Sequence, residues 1–248
     1  MEKYVNYLVK WLQDKVSEAH SNGLIVGVSG GIDSAVVACL IKKAFPNNSL
    51  GLILPCYSQK EDVNHAQIVC QDINLDYHII NLDKTYDELI NNNISNNIKP
   101  SSSYIMAKAN TKARLRMTTL YAYAQNYGYL VVGTDNKCEW YTGYFTKFGD
   151  GGVDLVPLVH LLKSQVYQLA TYFNIDQKII NKAPSAGLID NQTDEEEMQF
   201  SYEELEKYLN GQKVDENIKN RIQFLHQVSE HKRNNASQPL NITEVLSK

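Results

Sequence analysis

Hydrophobic and polar positions follow two rhythms along this chain, and the rhythm switches repeatedly between them. Leu8, Trp11, Leu12 and Val16 recur at helical spacing within residues 4–19, with charged positions between them, which predicts an amphipathic lead-in helix. Leu24-Ile25-Val26-Gly27-Val28 is an unbroken, β-branched apolar run, the pattern of a strand covered on both faces. A helix over 33–45 follows its turn, and Pro46-Asn47-Asn48 ends it. Strand and helix then return twice: a strand over 50–54 with a helix over 61–71, and a strand over 77–81 with a helix over 86–90. Beyond them the pattern predicts a long helix over 104–127, a fourth buried strand over 129–132, and helices over 163–173, 202–209 and 216–231. Residues 91–103, rich in Asn and Ser, and residues 182–199, acidic and without apolar periodicity, read as loops. Strands alternating with helices predict an α/β fold, a doubly wound parallel sheet flanked by helices with right-handed crossovers. No internal repeat and no domain-separating linker interrupts it.

Composition narrows the function. The 248 residues are 43% hydrophobic and carry 24 Lys and Arg against 28 Asp and Glu, a net charge of −4. A mildly acidic chain without a basic block does not suit a nucleic-acid partner bound through phosphates. No apolar run approaches the roughly 18–20 residues of a membrane span, and residues 1–10 have no signal-peptide core, so no membrane partner and a cytoplasmic address are expected. Cys39, Cys56, Cys70 and Cys138 form no CxxC pair. They read as reduced, packed thiols, and neither structural zinc nor a thiol nucleophile is indicated.

The strongest chemical signal is Gly27-Val28-Ser29-Gly30-Gly31-Ile32-Asp33-Ser34, between the first strand and its helix. Consecutive glycines there let backbone N–H groups close around a phosphate at the positive end of the helix. Ser29 and Ser34 add hydroxyls. The run is neither GxGxxG nor a Walker loop, since no Lys-Ser/Thr follows at the required spacing. Asp33 can cap the helix, or hold Mg²⁺ beside a phosphate.

The SGGxDS pattern resembles the pyrophosphate-binding loop of the N-type ATP pyrophosphatases, the adenine nucleotide α-hydrolase-like superfamily that activates substrates by transferring AMP from ATP. Further segments resemble the ammonia-dependent NAD synthetase family within it. They are Lys112-Ala113-Arg114-Leu115-Arg116-Met117, residues 133–139, Gly143-Tyr144-Phe145-Thr146-Lys147-Phe148-Gly149-Asp150-Gly151-Gly152 continuing to Leu155, residues 157–166, Lys182-Ala183-Pro184-Ser185-Ala186-Gly187-Leu188, and His231-Lys232-Arg233. They occur in family order across residues 24–233.

The resemblance implies a single synthetase domain over 1–248 without a glutaminase, amidating deamido-NAD with ammonia and ATP through an adenylated intermediate, with release of AMP and pyrophosphate. It implies that Gly27, Val28, Ser29, Gly30, Gly31, Ile32, Asp33 and Ser34 bind ATP with Thr134, Lys163 and Ser185, and that Asp33, Lys163 and Ser185 act in catalysis. Asp33 and Glu139 would hold Mg²⁺. Arg114, Lys147, Asp154, His231 and Lys232 would bind deamido-NAD, cations facing its phosphates and carboxylate. Singly, Arg114 also reads as a helix-surface charge, Lys163 as a solvated first-turn lysine, and His231 with Lys232 as charges complementing a helix dipole. The resemblance also implies a homodimer. The apolar positions Ile105, Ala109, Ala113, Leu120, Tyr121 and Ala124 exceed one buried stripe on the long helix, although packing within the subunit would use them too. Another adenylating enzyme acting on tRNA or sulfur would favour a basic surface or reactive cysteines, and a nucleotide-binding module would not need Asp33, Glu139, Lys163 and Ser185 together.

Overall fold

A computed structural model gives the architecture and describes residues 1–184, 187 and 193–246. Helix α1 (Glu2–Glu18) leads into strand β1 (Gly23–Gly27), then α2 (Ile32–Ala44), β2 (Ser49–Ile53), α3 (Lys60–Asp72) and β3 (Tyr77–Ile79). After β3, α4 (Asp83–Tyr86), a π-helical stretch (Asp87–Ile94) and α5 (Ser95–Asn97) form one nearly continuous helical segment. The long α6 (Tyr104–Tyr127) delivers β4 (Tyr129–Val132), followed by α7 (Lys137–Thr142), α8 (Lys163–Tyr172) and the turn α9 (Gln177–Ile180). The chain closes with α10 (Asp194–Met198), α11 (Tyr202–Leu209), α12 (Glu216–Val228), α13 (Glu230–Arg233) and α14 (Ile242–Leu246).

The four strands among the described residues are all parallel, in the order β3-β2-β1-β4, with Ile25 in register with Leu50 on one side and Val131 on the other. A single parallel bridge from Val132 to Leu155 continues the sheet past β4. Successive side chains of a strand point to opposite faces, and β1 shows what this does. Leu24 and Val26 join Leu12, Val36, Leu40 and Leu169 in the core under α1, α2 and α8. Ile25 joins Leu52, Val131, Tyr86 and Ala124 in the core under α4 and α6. A third cluster, around Cys138, Met198, Leu205 and Ile222, packs α7, α10, α11 and α12 together.

From β1 the chain steps outward to β2 and β3, and α6 then carries it back to place β4 on the other flank of β1. That reversal opens a crevice at the carboxyl ends of β1 and β4, where open α/β sheets bind ligands. Both predicted phosphate-side segments leave from this edge.

Two predicted loops are partly helical. Residues 91–97 extend the helix, with Ile90 and Ile94 packed against the core under α4 and α6. Asparagine amides bond back along it: Asn91 Nδ2 donates to Asp87 Oδ1 at 2.7 Å, Asn96 Nδ2 to the Asn92 carbonyl at 2.8 Å, and Asn97 Nδ2 to the Asn93 carbonyl at 2.9 Å. Within 182–199, the acidic run forms the first turn of α10. Thr193 and Glu196 close a capping box there, and Asp194 and Met198 are buried. The helix expected over 216–231 instead breaks at Ser229, where the Arg233 guanidinium gathers the carbonyls of Trp140, Tyr141 and His226. All four cysteines are buried free thiols, and burial pushes Cys39, Cys70 and Cys138 up to about 12, which keeps them inert. No helix among the described residues is long and apolar enough to cross a membrane.

Candidate active site

The crevice between β1 and β4 is a cavity of about 570 Å³, within the size range of sites for small molecules and cofactors. Its floor is the loop entering α2. Gly30 takes φ +83°, and a Cβ there would meet the Asp62 carbonyl at 2.3 Å, so the turn requires glycine. Ser29 and Ser34 fold the loop on itself. The Ser29 N–H donates to Ser34 Oγ at 3.1 Å, the two hydroxyls meet at 3.0 Å, and Ser34 Oγ donates to the Gly31 carbonyl at 2.9 Å. Gly31 caps α2 without a side chain, which leaves the positive end of a thirteen-residue helix open to the cavity.

Asp33, in the first turn of α2, faces the buried Lys163 at the start of α8. Lys163 is 3% exposed, and its Nζ donates to Asp33 Oδ2 at 2.6 Å and to Glu139 Oε1 at 3.4 Å. This excludes the solvated-lysine reading. Asn136 fixes both carboxylates. Its Oδ1 accepts from the N–H groups of Cys138 and Glu139, its own N–H donates to Glu139 Oε2 at 3.0 Å, and its Nδ2 donates to Asp33 Oδ1 at 2.9 Å. One capping box therefore orients Glu139 and anchors Asp33.

The local charge is lopsided. Asp33, Glu139, Asp135 and Asp194 all act on one another or on Lys163. Burial, reinforced by Asp33, pushes Glu139 up to about 7. Burial likewise raises Asp135 and Asp194. Burial opposes the Lys163 charge, but Asp33 and Glu139 outweigh it and hold the ammonium above its ordinary range. Among the described residues, no cluster of three or more His, Cys, Asp or Glu is arranged to bind a metal by itself.

The structure gathers Gly27, Val28, Ser29, Gly31, Ile32, Asp33, Ser34, Thr134, Glu139 and Lys163 along this one cavity, with Gly30 forming the turn. Ser185 lies outside the described residues. Of the five candidates for the dinucleotide, Lys232 lines the cavity, donating to the carbonyls of Gly143 and Phe145 at 2.7 Å each. Burial lowers its pKa. Arg114, Lys147 and His231 form a linked group outside the lining: Arg114 Nη2 donates to the Lys147 carbonyl at 3.4 Å, and Lys147 Nζ to the His231 carbonyl. Asp154 is also outside it, accepting from the Val131 N–H at 2.8 Å and the Tyr121 hydroxyl at 3.0 Å.

Sequence reasoning missed Asn136 and Arg116. Asn136 was legible as an N-cap three residues before a Glu, the capping-box spacing. Arg116 lines the cavity from α6, its Nε donating to the Leu54 carbonyl at 3.0 Å and its Nη2 to Ser58 Oγ at 3.1 Å. Its signal was a charge on the face that carries Ala109, Ala113 and Leu120.

A parallel sheet with a glycine turn feeding an open helix end, and a buried lysine between two carboxylates at the switch point, defines a nucleotide-activating α/β enzyme. The chain matches the NAD synthase family over residues 4–236 and belongs to it. It is 47% identical over 241 residues to the NH(3)-dependent NAD(+) synthetase of Mesoplasma florum, covering 96% of this chain and 97% of that one. It is 47% identical over 232 residues to that of Carboxydothermus hydrogenoformans, covering 94% and 95%. Among solved structures, an NMN synthetase from Francisella tularensis superposes with a TM-score of 0.90 at 43% identity, covering 96% of this chain and 98% of that one. The NH3-dependent NAD synthetase of Campylobacter jejuni gives 0.78 at 31% identity, with the same coverage.

Proposed function

We propose that the chain converts the nicotinate carboxylate of deamido-NAD to the amide of NAD, using ATP and ammonia. The observation that carries this reading is the buried Lys163 ammonium, bonded to Asp33 and Glu139 and lining the same cavity as the glycine loop that opens α2. The carboxylate oxygen of the substrate attacks the α-phosphorus of ATP and pyrophosphate leaves. Ammonia then attacks the acyl carbon, AMP departs with the electrons of the broken C–O bond, and the nitrogen gives up its extra proton. Such a reaction needs positioning and charge stabilisation rather than a protein nucleophile. The phosphate loop and Lys163 supply that. The four cysteines, buried and inert, play no part.

The excess of carboxylates around one ammonium suits Mg²⁺, a hard cation commonly held by one or two carboxylates together with substrate phosphates. Asp33 and Glu139 would hold it, and it would neutralise charge on the phosphates. Arg114, Lys147, His231 and Lys232 would meet the anionic dinucleotide, with Ser185 near the phosphates. A homodimer covering the exposed Ile105 and Met106 of α6 belongs to the same reading, as does a cytoplasmic address.

The test is direct. Purified protein given deamido-NAD, MgATP and ammonium forms NAD and pyrophosphate in equal amounts, and glutamine does not replace ammonium. Activity with glutamine and none with ammonium refutes the reading. A second reading, the mononucleotide as substrate, draws on the TM-score of 0.90 to an NMN synthetase. Comparing kcat/KM for deamido-NAD and nicotinate mononucleotide separates the two, and light scattering reports the dimer.

A further inference from the structure

Two buried side chains beside Lys163 belong to neither the phosphate loop nor the dinucleotide set. Asp194 opens α10 in an acidic run, yet it is 3% exposed while Glu195 is exposed beside it. Its N–H donates to the Pro184 carbonyl at 3.2 Å. Its Oδ2 accepts from the Tyr202 hydroxyl at 2.8 Å, and its Oδ1, also buried, has no hydrogen-bond partner among the described residues. Tyr202 opens α11, pinned by its N–H to Glu195 Oε1 at 2.8 Å. The Lys163 ammonium lies 5.0 Å from the centre of the Tyr202 ring, and the Tyr202 hydroxyl stands 3.4 Å from Glu139 Oε1.

A lysine ammonium has three N–H donors on a flexible stem, so burying it in one position requires a wall as well as acceptors. Asp33 and Glu139 are the acceptors. The aromatic face supplies the wall, and attracts the cation more strongly once water is excluded. The ring stays in place only if its hydroxyl is held, and a buried carboxylate from a different helix holds it. A solvated acidic run gives no reason for Asp194 to be buried against two tyrosine hydroxyls, bonded to that of Tyr202 and beside that of Tyr144.

We propose that Asp194 and Tyr202 are a positioning pair for Lys163: Asp194 anchors the Tyr202 hydroxyl, and the ring holds the ammonium between Asp33 and Glu139. The pair serves the ATP-cleaving step and rests on the function proposed above.

Three variants test it by pyrophosphate release, substrate KM and thermal melting. Tyr202→Leu removes the wall and is expected to lower kcat by at least about 30-fold, on the scale of losing one transition-state contact, with KM for ammonium within about twofold. Tyr202→Phe removes the bond between them, and Asp194→Asn weakens it by taking the charge from its acceptor; each should lower kcat, by about five- to tenfold for Tyr202→Phe and by about two- to fivefold for Asp194→Asn. The double variant Asp194→Asn with Tyr202→Phe should fall no further than Tyr202→Phe alone, because both act on the same link. Turnover within twofold of wild type in Tyr202→Leu and Asp194→Asn, or losses that multiply in the double variant, overturns the proposal. If Tyr202→Leu does not fold, the two conservative variants and their cycle decide. Wild-type protein inactive with deamido-NAD, ATP and ammonium would refute the function instead. The pair is then judged by crystal structures of Asp194→Asn and Tyr202→Phe: Lys163 displaced from Asp33 supports it, and Lys163 unmoved overturns it.

Discussion

The two ends of the site are built in opposite ways. At the end beside the glycine turn, where the proposed function puts the ATP phosphates, Lys163, Asp33 and Glu139 are shielded from solvent and their partners come from α2, α7, α8 and α11. At the other end, Arg114 and His231 are exposed, and the bonds of Arg114 and Lys147 go to backbone carbonyls of neighbouring loops and helix ends. Side chains locked in low dielectric stabilise charge without reorganising, whereas exposed ones mainly add affinity. Under the function proposed above, the difference would place chemistry in the first region and substrate capture in the second.

The largest expected effect tests the first half of that division. Lys163→Met removes the ammonium bonded to both carboxylates and should reduce pyrophosphate release by at least about 100-fold, the scale of deleting one preorganised charge donor. It should also lower stability by about 3–5 kcal/mol, because two largely buried carboxylates lose their counter-charge. Denaturant unfolding and a pyrophosphate assay measure the two. Turnover within tenfold of wild type would move the chemistry elsewhere.

A middle-sized effect is pH dependence. Glu139 is raised from 4.5 to about 7, first by burial and then by Asp33. A carboxyl raised on folding binds its proton more tightly in the native state. Its contribution to stability is therefore complete below its ordinary value and disappears as pH rises through about 7. Asp135 and Asp194 shift the same way. The substrate-free protein should melt at a lower temperature at pH 8 than at pH 6, and Glu139→Gln should flatten that slope. Melting that rises across this interval, or a slope unchanged in Glu139→Gln, contradicts the charge excess at the phosphate end.

The same contrast explains what the sequence made legible. Strands β1 and β4 and helix α6 stood out because continuous apolar runs and helical periodicity report burial directly, and the glycine turn stood out because only glycine fits Gly30. Asp33, Glu139 and Lys163 were legible only through their motifs, since no periodicity brings together residues over a hundred positions apart. Asp194 lies in the stretch that reads as a loop for want of apolar periodicity, and its burial depends on a tyrosine hydroxyl that tertiary packing delivers. The asparagine-rich stretch misled because Ile90 and Ile94 pack against the core under α4 and α6, and that tertiary packing overrides the poor helix propensity of asparagine.

The smallest effect probes the exposed end. Arg114→Ala and Lys147→Ala each remove a cation hydrogen-bonded to carbonyls that water can satisfy, and Lys147 otherwise meets only the exposed Phe148 ring among the described residues, so the fold should hold and melting should stay near the wild-type temperature. The dinucleotide carries its phosphates in the ground state and the transition state alike, so a cation that meets them contributes equally to both, and its loss raises KM while leaving kcat unchanged. An exposed charge contact of this kind supports a rise of about three- to tenfold in KM for deamido-NAD, with KM for ATP unmoved. High salt should shrink the difference between variant and wild type, because screening weakens the wild-type contact first. A fall in kcat comparable to that of Lys163→Met would mean the exposed cations reach the reacting atoms, and the division between the two ends of the site would then be wrong.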